Sequence, residues 1–120
     1  MSRSVGNKAE DAAVRFLVSQ GYKILDRNYT CRMGEIDIIA ERGDMLCFVE
    51  VRMRSNGRYG LPQETIGREK KRKVALTARQ YLIERKIEER VCRFDVVTIV
   101  GNNEPVLQTN AYEDDTYKNG

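Results

Sequence analysis

Two apolar segments, each with a carboxylate inside it, constrain this chain more than any other feature. Gly34-Glu35-Ile36-Asp37-Ile38-Ile39-Ala40 and the run from Met45 to Met53 read as strands, and Arg42-Gly43-Asp44 closes them into a hairpin. Asp37 and Glu50 then stand on neighbouring interior strands. An unpaired carboxylate in such a place costs several kcal/mol, so it is expected to be paired or to hold a cation. Alternation along the second strand puts Leu46, Phe48, Glu50 and Arg52 on one face and Cys47, Val49 and Val51 on the other.

The rest of the chain supplies two helices and more strand. Ala9, Ala12, Ala13, Phe16 and Leu17 recur at helical spacing, which predicts a helix over residues 8–20 with Asn7 as its N-cap, Glu10 in the first turn and Gly21 as its stop. Tyr22 to Tyr29 reads as a strand. Val74, Ala75, Ala78, Tyr81 and Leu82 mark a long helix that starts between Pro62 and Arg68 and ends near Lys86. Phe94 to Val100 is a continuous apolar strand, and Val106 to Tyr112 adds an edge strand. The fold class is therefore α/β in the order α-β-β-β-α-β with a further edge strand, a mixed sheet flanked by helices. The helix between the Glu50 and Phe94 strands favours a parallel crossover. Residues 1–112 form one domain, and 113–120 read as a disordered acidic tail.

Composition removes several chemistries. The 120 residues contain no histidine, which excludes Ser-His-Asp and Cys-His nucleophile systems, His-ligated zinc and an imidazole base. Cys31, Cys47 and Cys92 are odd in number and form no CxxC pair, arguing against a disulfide framework or a structural zinc. Cys47 and Cys92 sit in apolar runs as core residues. No apolar run approaches the ~20 residues of a membrane span, and the N-terminus lacks a signal-peptide core, so a cytoplasmic location and no membrane partner are expected.

Net charge is +3, but an acidic end masks a basic body: residues 1–103 hold 20 basic and 14 acidic side chains. Residues 52–93 alone carry 13 Lys or Arg against 5 Glu, a balance that suits a polyanion such as nucleic acid. An ordinary solvated charged surface is the competing explanation. Lys70-Lys71-Arg72-Lys73 lies early in a helix, where the dipole disfavours cations, and this placement points to an external anion. Lys70, Lys71 and Lys73 cannot all share one face. With Arg54 and Arg58 from the loop Arg54-Ser55-Asn56-Gly57-Arg58-Tyr59-Gly60 they would rim the acidic centre, and Tyr59 is placed to stack on a base.

Asp37 and Glu50 on adjacent strands repel unless a hard cation bridges them, and Mg²⁺ or Mn²⁺ is the natural candidate. Such an ion keeps waters that can attack a phosphodiester, without histidine. A structural ion pair to Arg52 is the alternative.

Gly34-Glu35-Ile36-Asp37-Ile38-Ile39-Ala40, Phe48-Val49-Glu50-Val51-Arg52 and Arg93-Phe94-Asp95-Val96-Val97 resemble the bacterial YraN family of uncharacterised proteins, assigned to the restriction-endonuclease-like, or PD-(D/E)XK, superfamily and similar to archaeal Holliday junction resolvases. The resemblance runs from about Gly6 to Ala111. It implies divalent-metal phosphodiester hydrolysis with Asp37 and Glu50 as ligands, the Val51 carbonyl as a third, Arg52 at the position of a catalytic lysine, and Glu10 as an additional acid on the first helix. It also implies Gln63 as a polar residue facing the metal. Arg52 departs from the pattern: an arginine stays protonated and is a poor base, yet offers a planar donor to phosphate. Glu10 also fits a capping pair with Asn7, Glu35 reads as a rim residue, and Asp95 reads as structural.

The leading expectation is thus a metal-dependent nuclease acting on DNA, branched or structured, ahead of RNA, for which a two-fold dimer would suit cutting of paired strands. The alternative is a nucleic-acid-binding protein on the same scaffold that has lost catalysis. A third reading, an interaction module, requires both acids to be neutralised internally by arginines.

Overall fold

Helix ends in this protein are set by backbone geometry that the sequence announces in one case and hides in the other. The first helix, α1 (Ser4–Ser19), stops at Gly21, whose φ of +94° lets Tyr22 N–H reach the Leu17 carbonyl at 3.0 Å and Gly21 N–H the Val18 carbonyl at 3.0 Å. This is the paired closure of a left-handed C-terminal cap. The second helix, α2 (Arg68–Glu84), ends the same way, with Ile87 N–H on Leu82 O at 2.9 Å and Lys86 N–H on Ile83 O at 3.1 Å. Here the left-handed position is filled by Lys86 at φ +55°. The structure, a computed structural model, describes residues 4–54, 67–88 and 90–111, with side chains of the first helix from Lys8 onward.

Between the helices lies a five-stranded sheet in the order β1 (Lys23–Cys31), β2 (Gly34–Arg42), β3 (Met45–Arg54), β4 (Val91–Val100) and β5 (Val106–Gln108). Only β3 and β4 run parallel, as the α2 crossover requires; the other neighbours are antiparallel. Arg42 pairs with Met45, so the hairpin loop is the two residues Gly43-Asp44. At the outer edge, β1 is irregular, with a register shift at Leu25 and Asn28 at φ +55°.

The alternation expected along β3 distributes the core over two layers. Leu46 and Phe48 pack with Val74, Ala78 and Tyr81 of α2, while Cys47 and Val49 pack with Ala13 and Leu17 of α1. Phe48 is the hub of the α2 layer: its ring stacks on Phe94 at 5.6 Å and meets Tyr81 edge-on at 6.1 Å. Such pairs add about 0.5–1.5 kcal/mol each beyond area burial. Tyr81 also donates to Asp26 at 3.0 Å, and Tyr29 donates to Glu84 at 2.8 Å, tying the C-terminal half of α2 to β1. Near its middle, α2 comes so close to β2 that a Cβ on Gly34 would sit 3.0 Å from Thr77 Oγ1.

Three boundaries differ from the sequence expectation. α1 begins at Ser4, so Asn7 lies inside the helix and is not its N-cap, and Glu10 falls outside the first turn. Gly6 and Asn7 are weak helix formers and suggest a boundary, but propensity is a weak prior that the longer helix overrides. β4 begins at Val91, three residues before the apolar run, because it stays in parallel register with β3 from Met45↔Val91 onward. The edge strand β5 ends at Gln108, short of the expected Tyr112, because the chain turns through left-handed Asn110 and Ala111 N–H bonds the Phe94 carbonyl at 2.6 Å. α2 starts at Arg68, at the far end of the expected interval. Tyr112 and the tail lie outside the described residues.

Lys86→Gly should stabilise the protein by about 0.5–1 kcal/mol, since glycine carries no Cβ penalty in the left-handed cap. Urea unfolding followed by circular dichroism measures it; an unchanged or lower midpoint would show that the lysine side chain compensates.

Candidate functional site

The site arises where the two central strands part. The β2–β3 ladder runs from Arg42↔Met45 to Ile38↔Val49 and stops there. Beyond it β2 continues on β1 as far as Cys31↔Gly34, and β3 continues on β4 as far as Arg54↔Val100. Val51 therefore has no β2 carbonyl opposite its amide. Asp37 supplies the acceptor instead, its Oδ2 taking the Val51 N–H at 2.8 Å.

An open cavity of about 430 Å³ occupies the fork beneath the N-terminal half of α2. Asp37, Glu50 and Glu35 line it together with Thr30, Cys31, Lys70 and Lys73. The two acids singled out from sequence thus face one space. Lys70, Lys73, Val74 and Thr77 follow helical spacing, which explains why Lys70 and Lys73 reach the cavity while Lys71 is not among its lining residues.

Burial pushes the Asp37 carboxyl up to about 6; the Val51 N–H opposes the shift, and the nearby charges of Glu50, Glu10 and Glu35 add to it. Glu50 is held from two sides. Arg52 Nε lies 3.3 Å from its Oε2, and Lys70 Nζ lies 3.5 Å from its Oε1. The Lys70 contact is within ion-pair range without forming a hydrogen bond, and Glu50 Oε1, which is buried, has no hydrogen-bond partner.

Glu10 has turned inward from α1. Only 9% exposed, it accepts from Asn28 Nδ2 at 2.9 Å and from Arg27 Nη2 at 3.3 Å. The left-handed backbone at Asn28 permits Arg27 and Asn28 to reach the same helix. Glu10 is therefore no capping residue, and its charge is felt at Asp37. Asn28 was missed from sequence; an asparagine interrupting a strand is the signal, because that side chain tolerates the left-handed region.

Other expected residues separate from this centre. Arg54 lines a groove on the α1 side with Lys8, Ala12 and Met53, away from the cavity, and its carbonyl accepts the Gly101 N–H at 2.9 Å. Arg58, Tyr59 and Gln63 lie outside the described residues. Asp95, 1% exposed, takes Nε and Nη2 of Arg93 at 2.9 Å each and the Asn110 N–H at 2.9 Å, while Arg93 also donates to Tyr22 Oη at 2.6 Å. That acid is structural, as its position suggested. Beside it burial, reinforced by the Asp95 charge, pushes the Cys47 thiol up to about 12, leaving it an inert core group. All three cysteines are free thiols.

Among the described residues, no three acidic or cysteine side chains converge as a metal cluster. Two carboxylates with water are nevertheless a donor set that Mg²⁺ commonly accepts. A buried oxygen without a hydrogen bond, beside a second, desolvated carboxylate, fits a small hard cation.

The model of the uncharacterised protein family UPF0102 matches residues 9–99. The chain belongs to this family. The matched stretch includes Glu10, Asp37, Glu50, Arg52 and Lys70, so the whole fork falls within it. This UPF0102 chain is similar to a UPF0102 protein of Myxococcus xanthus, 49% identical over 102 residues that cover 85% of this chain and 81% of that protein. It is also similar to UPF0102 proteins of Persephonella marina, at 47% identity over 82% of this chain and 84% of the relative, and of Clostridium tetani, at 42% over 85% and 84%. No helix among the described residues is long and apolar enough to cross a membrane.

The raised Asp37 value has a consequence for stability. A folded-state value near 6 against 3.8 for the free group means the native state favours the protonated form, so this contribution is complete below pH 3.8 and is lost as pH rises through 6. The loss amounts to up to about 3 kcal/mol. Asp37→Asn cannot ionise, so in EDTA the stability of the variant relative to wild type should rise by that order between pH 4 and pH 7. A difference independent of pH, in paired urea titrations, would show that Asp37 titrates normally.

Proposed function

We propose that this chain is a metal-dependent nuclease, with nucleic acid, DNA ahead of RNA, as its partner. The observation that carries this reading is the open fork in which Asp37 and Glu50 face one cavity, with one buried Glu50 oxygen lacking a hydrogen bond. Asp37 and Glu50 would hold Mg²⁺ or Mn²⁺, with the Val51 carbonyl as the third protein oxygen. When bound, such an ion polarises a phosphodiester and lowers the pKa of a water.

The chain's own residues do the rest. The Val51 N–H fixes the Asp37 carboxylate, and Arg52 holds Glu50. Arg27 and Asn28 set the orientation of Glu10, which adds negative charge to the centre and so favours a cation there. Lys70 and Lys73 on the cavity wall, with Lys71 and the other cations of early α2, attract the phosphate backbone. Branched or structured DNA is the preferred substrate class, which the resemblance to junction-cutting enzymes suggests, and a two-fold dimer would present two such centres to paired strands.

One feature favours the second reading, a nucleic-acid-binding protein without turnover. The strand carries arginine where the acid-x-lysine pattern has lysine, and that arginine is engaged with Glu50.

Cleavage separates the two readings. Incubation of the protein with single-stranded, duplex, flap and four-way-junction DNA and with RNA, in Mg²⁺ or Mn²⁺, should give hydrolysis of at least one substrate. Asp37→Ala and Glu50→Ala should each lower it by on the order of 100-fold or more. Activity that survives both substitutions would come from a contaminant, and salt-sensitive binding without any cleavage would establish the binder.

A further inference from the structure

Arginine stands on the strand where the acid-x-lysine pattern has lysine, and a lysine of α2 lies beside the Glu50 carboxylate. Arg52, only 15% exposed in its side chain, lies against Glu50 Oε2. The other oxygen of the same carboxylate faces Lys70, whose Nζ stands 3.5 Å away on a side chain 52% exposed. An ammonium at that point looks both into the cavity and out to solvent. It is also delivered by a well-anchored element: Val74, Ala75, Thr77, Ala78 and Tyr81 of α2 are buried, Thr77 abuts Gly34, and Tyr81 is bonded to Asp26.

We propose that Lys70 supplies from α2 the ammonium that the pattern places on the strand, meeting a nonbridging oxygen of the phosphate above Asp37 and Glu50, while Arg52 holds Glu50. This rests on the nuclease reading. In the hydrolysis a water oxygen bonds to phosphorus and the bond from phosphorus to the leaving ester oxygen breaks. One water proton passes to solvent, and the leaving oxygen takes up a proton from solvent. Lys70 keeps its protons throughout and opposes the negative charge that builds on the nonbridging oxygen, where one lost donor costs about 100-fold in rate.

The test uses the full chain and two readouts. Lys70→Met should lower single-turnover cleavage of four-way-junction or single-stranded DNA by about 100-fold, while affinity for the same DNA in EDTA falls by no more than about threefold. Adding Arg52→Lys to Lys70→Met should restore on the order of tenfold, because the ammonium returns to the strand position. Independently of activity, Mn²⁺ binding followed by electron paramagnetic resonance should tighten several-fold in Lys70→Met, since a cation 3.5 Å from a ligand oxygen opposes a second one. The circular-dichroism spectrum and a cooperative thermal transition, both of which Lys70→Met should retain because Lys70 is half-exposed, control for folding.

The proposal falls if Lys70→Met cleaves at the wild-type rate, if cleavage and DNA affinity drop by the same factor, or if Mn²⁺ affinity does not change. Wild-type protein that binds Mn²⁺ yet cleaves none of these substrates overturns the nuclease reading and this inference with it. Normal cleavage by Lys70→Met overturns this inference alone.

Discussion

Beyond Ile38 and Val49 the two central strands stop sharing hydrogen bonds, and a side chain takes over the task of the ladder. Asp37 accepts the Val51 N–H that β2 no longer reaches. Without that contact the amide would be left at the mouth of the fork with no acceptor from β2, a cost comparable to a lost hydrogen bond. The same contact fixes one carboxylate at the apex of a cavity whose other walls come from β1, β3 and α2. The geometry of the candidate centre is thus a by-product of how the sheet ends its pairing.

Around that apex acidic side chains cluster, with basic ones beside them. Asp37, Glu50, Glu35 and Glu10 form the inner group; burial raises the Asp37 value, and the charges of the other three add to it. Arg27, Arg52 and Lys70 form the outer group, each within 3.5 Å of a carboxylate oxygen. The outer cations offset the inner charge only in part, since one Glu50 oxygen stays without a hydrogen bond. On the proposed nuclease reading, a centre balanced in this way would take a cation inside and draw a polyanion from outside.

Much of this was legible in the chain because it follows from period-two patterning. Asp37 and Glu50 sit in runs whose apolar neighbours must be buried, and alternation puts Glu50 and Arg52 on one face. Gly21 announced its own cap. What could not be read were consequences of distance in space. Lys70 is twenty residues from Glu50, and the packing of α2 on the sheet, through Val74, Thr77, Ala78 and Tyr81, brings them together. Glu10 looked like a capping residue because local spacing imitates that motif, and its true partners, Arg27 and Asn28, depend on a left-handed residue within an edge strand. Arg54, equally basic, turned out to face a different groove, since the strand end lies on the α1 side.

That edge strand has a further effect. A straight nine-residue border of unpaired amides and carbonyls is an invitation for a second copy to add itself and for the copies to polymerise. The offset at Leu25 and the kink at Asn28 interrupt the border at two points, so no long uninterrupted template remains along β1. The bend that lets Asn28 grip Glu10 therefore also guards the protein against sheet-to-sheet aggregation, and straightening it would put solubility at risk along with the acidic centre.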